Sequence, residues 1–128
     1  MRLLLDTHAF LWSVENSPRL GAGARAAIAD AGNEKLVSIA SLWEIAIKVS
    51  LGKLTIAGSF DEMVDSLVAN RLITVLPILP AHLKIVTTLP HHHGDPFDRV
   101  IIAQAQHAGL TVVGSDSAFD DYGVARLW

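Results

Sequence analysis

Strand-like and helix-like segments alternate from one end of this chain to the other. That alternation predicts an α/β fold in three layers, with a central, mostly parallel sheet of four or five strands and helices on both faces. Two further observations agree. The strand candidates are short unbroken apolar runs, the pattern expected of strands buried on both faces. The composition, 51% hydrophobic and 18% charged over 128 residues, can fill a core between such layers and excludes disorder. Residues 1–128 read as one domain, without internal repeat, linker or low-complexity tract.

In order, Arg2 to Leu5 is the first strand and Thr7 to Glu15 the helix that follows it, broken at Asn16-Ser17-Pro18. Ala22 to Ala31 is alanine-rich and helical, with Gly32-Asn33 expected as its C-cap. Leu36 to Ile39 is the second strand. Ser41 to Leu51 is the next helix, stopped by Gly52, and Phe60 to Arg71 places Phe60, Met63, Val64, Leu67 and Val68 at helical spacing. Leu72 to Leu76 is a third strand. Pro80 to Leu89 suits a helix with proline at its first position, ahead of Pro90 and a polar His91-His92-His93-Gly94 loop. Asp95 to Ala108 is a helix closed by Gly109, Leu110 to Val113 a fourth strand, and Val124 to Leu127 a fifth.

Composition also restricts function. The chain has no cysteine, which removes disulfides, zinc–thiolate sites and thiol nucleophiles together. No apolar run reaches the roughly 20 residues of a membrane span, and Asp6 interrupts the first apolar stretch too early for a signal peptide, so no membrane role and a cytoplasmic location are expected. A net charge of −3 argues against a general polyanion binder, unless bound cations reverse the sign locally. The mean hydropathy of +0.39 is high for a small soluble monomer and suggests apolar surface covered by a partner.

The chemistry-bearing residues are four acids at strand-to-helix junctions: Asp6, Glu44, Asp98 and Asp116. In an open parallel sheet the carboxyl ends of the strands gather along one edge, so these acids can meet in one crevice and hold a divalent metal. Each also has a plainer explanation as a helix cap. Ser41 to Glu44 reads as a capping box, Asp95 caps the helix that Pro96 opens, and Asp6 and Asp116 could be N-caps. Two details favour the metal. Asp6 ends a doubly buried strand, where an unpaired carboxylate is costly, and Asp95 already supplies the cap that would account for Asp98. Nucleophile elbows and phosphate-cradling glycine loops are absent from the sequence, which leaves metal-assisted hydrolysis. Lys48, one helical turn after Glu44, is either its ion-pair partner or a phosphate contact, and Arg99 could touch the substrate or pair with Asp95. Three consecutive histidines cannot all reach one ion, so His91 to His93 are read as a loop beside the site that contacts the substrate or orders Asp95. Trp12, Trp43 and Trp128 raise the question of base stacking, with Trp43 expected in the core.

Leu3-Leu4-Leu5-Asp6-Thr7-His8, Ser41-Leu42-Trp43-Glu44-Ile45-Ala46-Ile47-Lys48 with Gly52-Lys53-Leu54, His92-His93-Gly94-Asp95-Pro96-Phe97-Asp98-Arg99, Gly114-Ser115-Asp116 and the closing Leu127-Trp128 together resemble the PIN-domain ribonucleases, most nearly the bacterial toxins of VapC type. The resemblance covers essentially the whole chain. It implies a Mg²⁺- or Mn²⁺-dependent endoribonuclease in which Asp6, Glu44 and Asp98 are the core metal ligands and Asp116 the fourth and weaker one. Thr7, Lys48, Asp95, Arg99 and Ser115 would support these or touch RNA. Activated water would attack the phosphodiester in line, leaving 5′-phosphate and 3′-hydroxyl ends, and no protein nucleophile is needed. A small antitoxin protein and a second copy of the chain are the implied partners. Many relatives carry Thr or Ser where this chain has Gly114, which puts the role of Asp116 in doubt. The alternative is a catalytically weak module of the same fold that acts mainly by binding RNA or a partner protein.

Overall fold

The computed structural model describes residues 1–70 and 72–128; Arg71, where the sequence ends its fourth helix, lies outside the described residues. Five parallel strands form one sheet in the order β3-β2-β1-β4-β5: β1 (Arg2–Leu5), β2 (Glu34–Ser38), β3 (Thr74–Leu76), β4 (Thr111–Val113) and β5 (Arg126–Leu127). Six α-helices connect them, α1 (Thr7–Val14), α2 (Ala22–Ala29), α3 (Ile39–Ser50), α4 (Phe60–Asn70), α5 (Pro80–Val86) and α6 (Pro96–Ala108), and a 3₁₀ helix spans Ser117–Tyr122.

Alternation along β1 builds the layers. Leu3 and Leu5 face one side and pack with Phe10, Leu20, Ala24, Leu42 and Ile45, whereas Leu4 faces the other and packs with Ile101, Ile102 and Phe119. Helices α1 to α4 therefore cover one face and α6 the other, so the expected α/β architecture with helices on both faces is present. Because β1 lies between β2 and β4, the chain leaves it in opposite directions on its two flanks. That is the topological switch point, where the carboxyl ends of parallel strands open a crevice.

Several boundaries differ from the sequence reading. Ile39 opens α3 rather than closing β2, since Ser38 accepts a hydrogen bond from Ala40 N at 3.0 Å and caps the helix. The capping box expected at Ser41 and Glu44 therefore does not exist; both lie inside the helix and are buried. Helix α2 ends at Asp30 instead of Gly32-Asn33, and the Asp30 side chain accepts from Gly32 N at 2.8 Å in a tight turn. Gly109 does close α6 in the left-handed conformation, at φ 64. None of the described helices is long and apolar enough to cross a membrane.

Candidate metal centre

Asp6 follows β1 without an intervening loop. Its Oδ1 accepts from Ala9 N at 2.8 Å, capping α1, and its Oδ2 turns toward Gly114 at the end of β4. Asp116 divides its carboxylate the same way, Oδ1 accepting from Ala118 N at 2.9 Å and Oδ2 meeting His93 Nε2 at 2.9 Å. In both cases one oxygen caps a helix and the other faces the crevice, so capping and a place in the site are compatible. Asp98 lies in the first turn of α6, while Asp95 caps that helix by accepting from Phe97 N and Asp98 N at 2.8 and 3.1 Å. With the cap already supplied, the Asp98 side chain is free to meet His93 Nε2 at 3.1 Å.

Glu44 reaches the crevice from the second turn of α3. Thr7 donates to its Oε1 at 2.7 Å and Lys48 to its Oε2 at 2.8 Å, and Thr7 also lies 3.1 Å from Ser41 Oγ. Lys48 is thus the i,i+4 partner of Glu44. Ser115 is exposed beside Asp116.

His93 is the residue that sequence reasoning underweighted. Its ligand-capable nitrogen and one oxygen each of Asp98 and Asp116 lie within 4.8 Å of one another. Asp95 N donates to Nδ1 at 3.1 Å, which puts the ring proton on Nε2, toward the two acids. The available signal was its position two residues before the capping Asp95. Arg99 supports the site from behind rather than pairing with Asp95. It is only 8% exposed, and its guanidinium donates to Leu89 O at 3.0 Å, Pro90 O at 2.9 Å and His93 O at 3.3 Å. It neither pairs with Asp95 nor faces solvent; it holds the loop that carries His93. Tyr122 braces the same loop, accepting from His93 N at 2.7 Å and donating to Pro90 O at 2.8 Å.

The electrostatics of the crevice are those of crowded carboxylates. Burial, with Glu44 and Asp116 nearby, pushes Asp6 up to about 6, against the favourable pull of the Ala9 N–H and of His8. Burial and the adjacent Asp95 push Asp98 up to about 7, with Asp6 and Glu44 adding to the effect. Asp116 is held below the usual range, chiefly by the Ala118 N–H and then by His93. Among the described residues no lysine or arginine pairs with Asp6 or Asp98. A divalent cation would supply the missing positive charge, and a set of carboxylate oxygens suits Mg²⁺ or Mn²⁺, with His93 beside it as a donor to Asp98 and Asp116. Gly114 belongs to this geometry, since a Cβ there would stand 2.5 Å from Asp6 Oδ2. A bulkier residue at that position has to displace the Asp6 carboxylate.

The sequence profile of the PIN domain matches residues 3–125. The chain belongs to the PIN-domain family. Solved structures share the PIN fold at low identity. VapBC2 from Rickettsia felis, bound to a DNA fragment from their promoter, aligns with a TM-score of 0.68 at 12% identity, covering 98% of this chain and 97% of that one. VapBC-1 from nontypeable Haemophilus influenzae gives 0.65 at 16%, covering 98% and 96%, and FitAcB from Neisseria gonorrhoeae 0.64 at 20%, covering 97% and 95%. No curated protein matches the chain at comparable significance.

Proposed function

We propose that this PIN domain is a Mg²⁺- or Mn²⁺-dependent endoribonuclease and the toxin of a toxin–antitoxin pair. The observation that carries the catalytic reading is the crowding of buried Asp6 and half-buried Asp98 with Glu44 and Asp116, the first two raised by burial and by their acidic neighbours and neither paired, among the described residues, with a lysine or arginine. Asp6, Glu44, Asp98 and Asp116 would hold the cation, with His93 beside the last two. A bound divalent ion supplies Lewis acidity and neutralises charge that builds on the phosphoryl oxygens. The chain's own groups orient the site: Thr7 and Lys48 fix the Glu44 carboxylate, and Arg99 and Tyr122 fix the loop that presents His93. His93 Nε2 can hold a proton between Asp98 and Asp116.

The partner reading rests on the structural neighbours, which are FitAB and VapBC toxin–antitoxin complexes, and on an apolar hollow of about 500 Å³ between α1 and α4. Leu11, Val14, Met63, Leu67 and Leu72 supply its apolar lining, against which the apolar face of an amphipathic helix would lie. Trp43, expected in the core, is instead 60% exposed and packs edge-on against Phe97 at 5.1 Å between ring centres. With exposed Ile39 on the same helix it offers a face for a second copy of the chain.

The test is incubation of purified protein with a mixed RNA pool, with Mg²⁺ and with excess EDTA, followed by mapping of the ends. Cleavage is expected with Mg²⁺ only, leaving 5′-phosphates, and Asp6→Asn should abolish it while the protein stays folded. Undiminished cleavage in EDTA would overturn the metal-dependent reading.

A further inference from the structure

A second hollow, of about 250 Å³, lies beside the acid crevice and has no part in the chemistry above. Two residues join it to the crevice: Thr7 and Lys48 line the hollow, and both bond to Glu44. Its aromatic wall is Trp12 with His8, their rings stacked at 5.1 Å with 28° between planes, and Trp128 backs Trp12 at 5.8 Å. His8 is exposed, so the outer face of its ring is open to a ligand, with half-buried Trp12 stacked behind it as support. Arg19 also lines the hollow, and among the described residues its guanidinium makes no ion pair or hydrogen bond. Glu15 and Thr55 present a carboxylate and a hydroxyl at the margin.

Stacked aromatic rings, an unengaged guanidinium and a few edge acceptors are the combination that recognises an unpaired nucleotide. The rings take the flat face of a base, the cation a phosphate, and the polar margin the edge of the base. We propose that this hollow receives one splayed-out base of a single-stranded RNA whose neighbouring phosphodiester lies at the acid crevice, with Arg19 contacting the backbone. The proposal rests on the nuclease reading and adds the substrate class, RNA with an unstacked base next to the cut. An RNA occupant is favoured over a protein side chain because the hollow shares Thr7 and Lys48 with the crevice. A strand whose phosphate lies at the acids therefore brings an adjacent nucleotide to this wall.

The experiment measures binding of fluorescein-labelled oligoribonucleotides carrying one abasic residue at successive positions around the cut. It is done on an Asp6→Asn background so that the RNA is not consumed. One position should matter: removing its base is expected to weaken binding about tenfold, Trp12→Ala should weaken the intact oligomer by a similar factor, and the two changes together should cost little more than either alone. Arg19→Ala, at an exposed position, should weaken all the oligomers alike and lower the slope of log affinity against log salt by about one. Multiplying effects of Trp12→Ala and base removal at every position would overturn the proposal. So would unchanged RNA affinity in both variants, including the case in which Trp12→Ala instead loosens a co-expressed small partner protein. Wild-type protein that cuts RNA without this coupling refutes the subsite alone, and coupling in a protein that never cuts refutes the nuclease reading alone.

Discussion

Asp95 and Asp98, three residues apart at the start of one helix, do different work because only one of them spends its oxygens on backbone N–H groups. Asp95→Ala removes the cap of α6 and should lower stability by about 0.5–2 kcal/mol in urea titration while leaving much of the RNA cleavage. Asp98→Asn keeps shape and removes charge, so it should abolish cleavage with no loss of stability. The raised acids set a pH dependence whose sign follows from linkage. Asp6 and Asp98 in the folded protein lie at about 6 and about 7 against an ordinary 3.8, so folding favours their protonated forms. Their contribution is fully present below the ordinary value and is lost as pH rises through the folded values. In EDTA, the urea midpoint of the wild type should therefore fall between about pH 4 and about pH 7, and in Asp98→Asn it should fall less. A midpoint that rises across that range would contradict the assignment. At this scale Asp6 and Asp116 stand where a strand gives way to a helix, as the sequence suggested, whereas Glu44 lies in the second turn of α3 and Asp98 in the first turn of a helix that no strand precedes. His93 could not be ranked above His91 and His92, since its role depends on a loop whose shape is set by Arg99 from the following helix and by Tyr122 from beyond β4.

Helix α6 shows how local signals and tertiary context divide the task. Asp95-Pro96 at its start and Gly109 at its end are local backbone chemistry, and both limits were legible. At α3 two serines compete, and the cap is Ser38 because β2 runs into the helix without a loop; spacing to Glu44 pointed to Ser41 instead. The 3₁₀ helix at Ser117–Tyr122 went unread, being too short for a periodic pattern to register. Arg99 is the side chain on α6 whose partners a sequence does not show. A sequence shows an arginine beside a ligand, whereas the carbonyls of Leu89, Pro90 and His93 that it satisfies converge only in the fold. Arg99→Ala leaves those carbonyls unpaired and should cost about 2–3 kcal/mol in urea titration. Cleavage should fall as well, because the loop presenting His93 loses its anchor. A variant as stable as the wild type would contradict this account of Arg99.

For the whole molecule, the topology was the most legible feature. Apolar strands alternating with amphipathic helices specify a parallel sheet, and the switch point beside β1 then brings Asp6 and Asp116 together from opposite ends of the chain. The surface was less legible, since periodicity cannot tell a core-facing Trp43 from one left open at an interface. If the hollow between α1 and α4 holds an antitoxin helix, expression of this chain alone should arrest growth. Asp6→Asn should relieve the arrest, and a small protein encoded beside it should co-purify. A charged residue in place of Val14 or Leu72, both exposed in that hollow, should break that complex and leave RNA cleavage intact; a harmless wild-type chain at high expression would contradict the toxin assignment. The central claim is that the crowded acids are a cation site, and calorimetric titration of the purified protein with Mn²⁺ near pH 7 tests it most directly. The account predicts saturable binding accompanied by proton release, lost in Asp6→Asn and in Asp98→Asn. Wild-type protein that takes up no Mn²⁺, or variants that bind it as the wild type does, would contradict it.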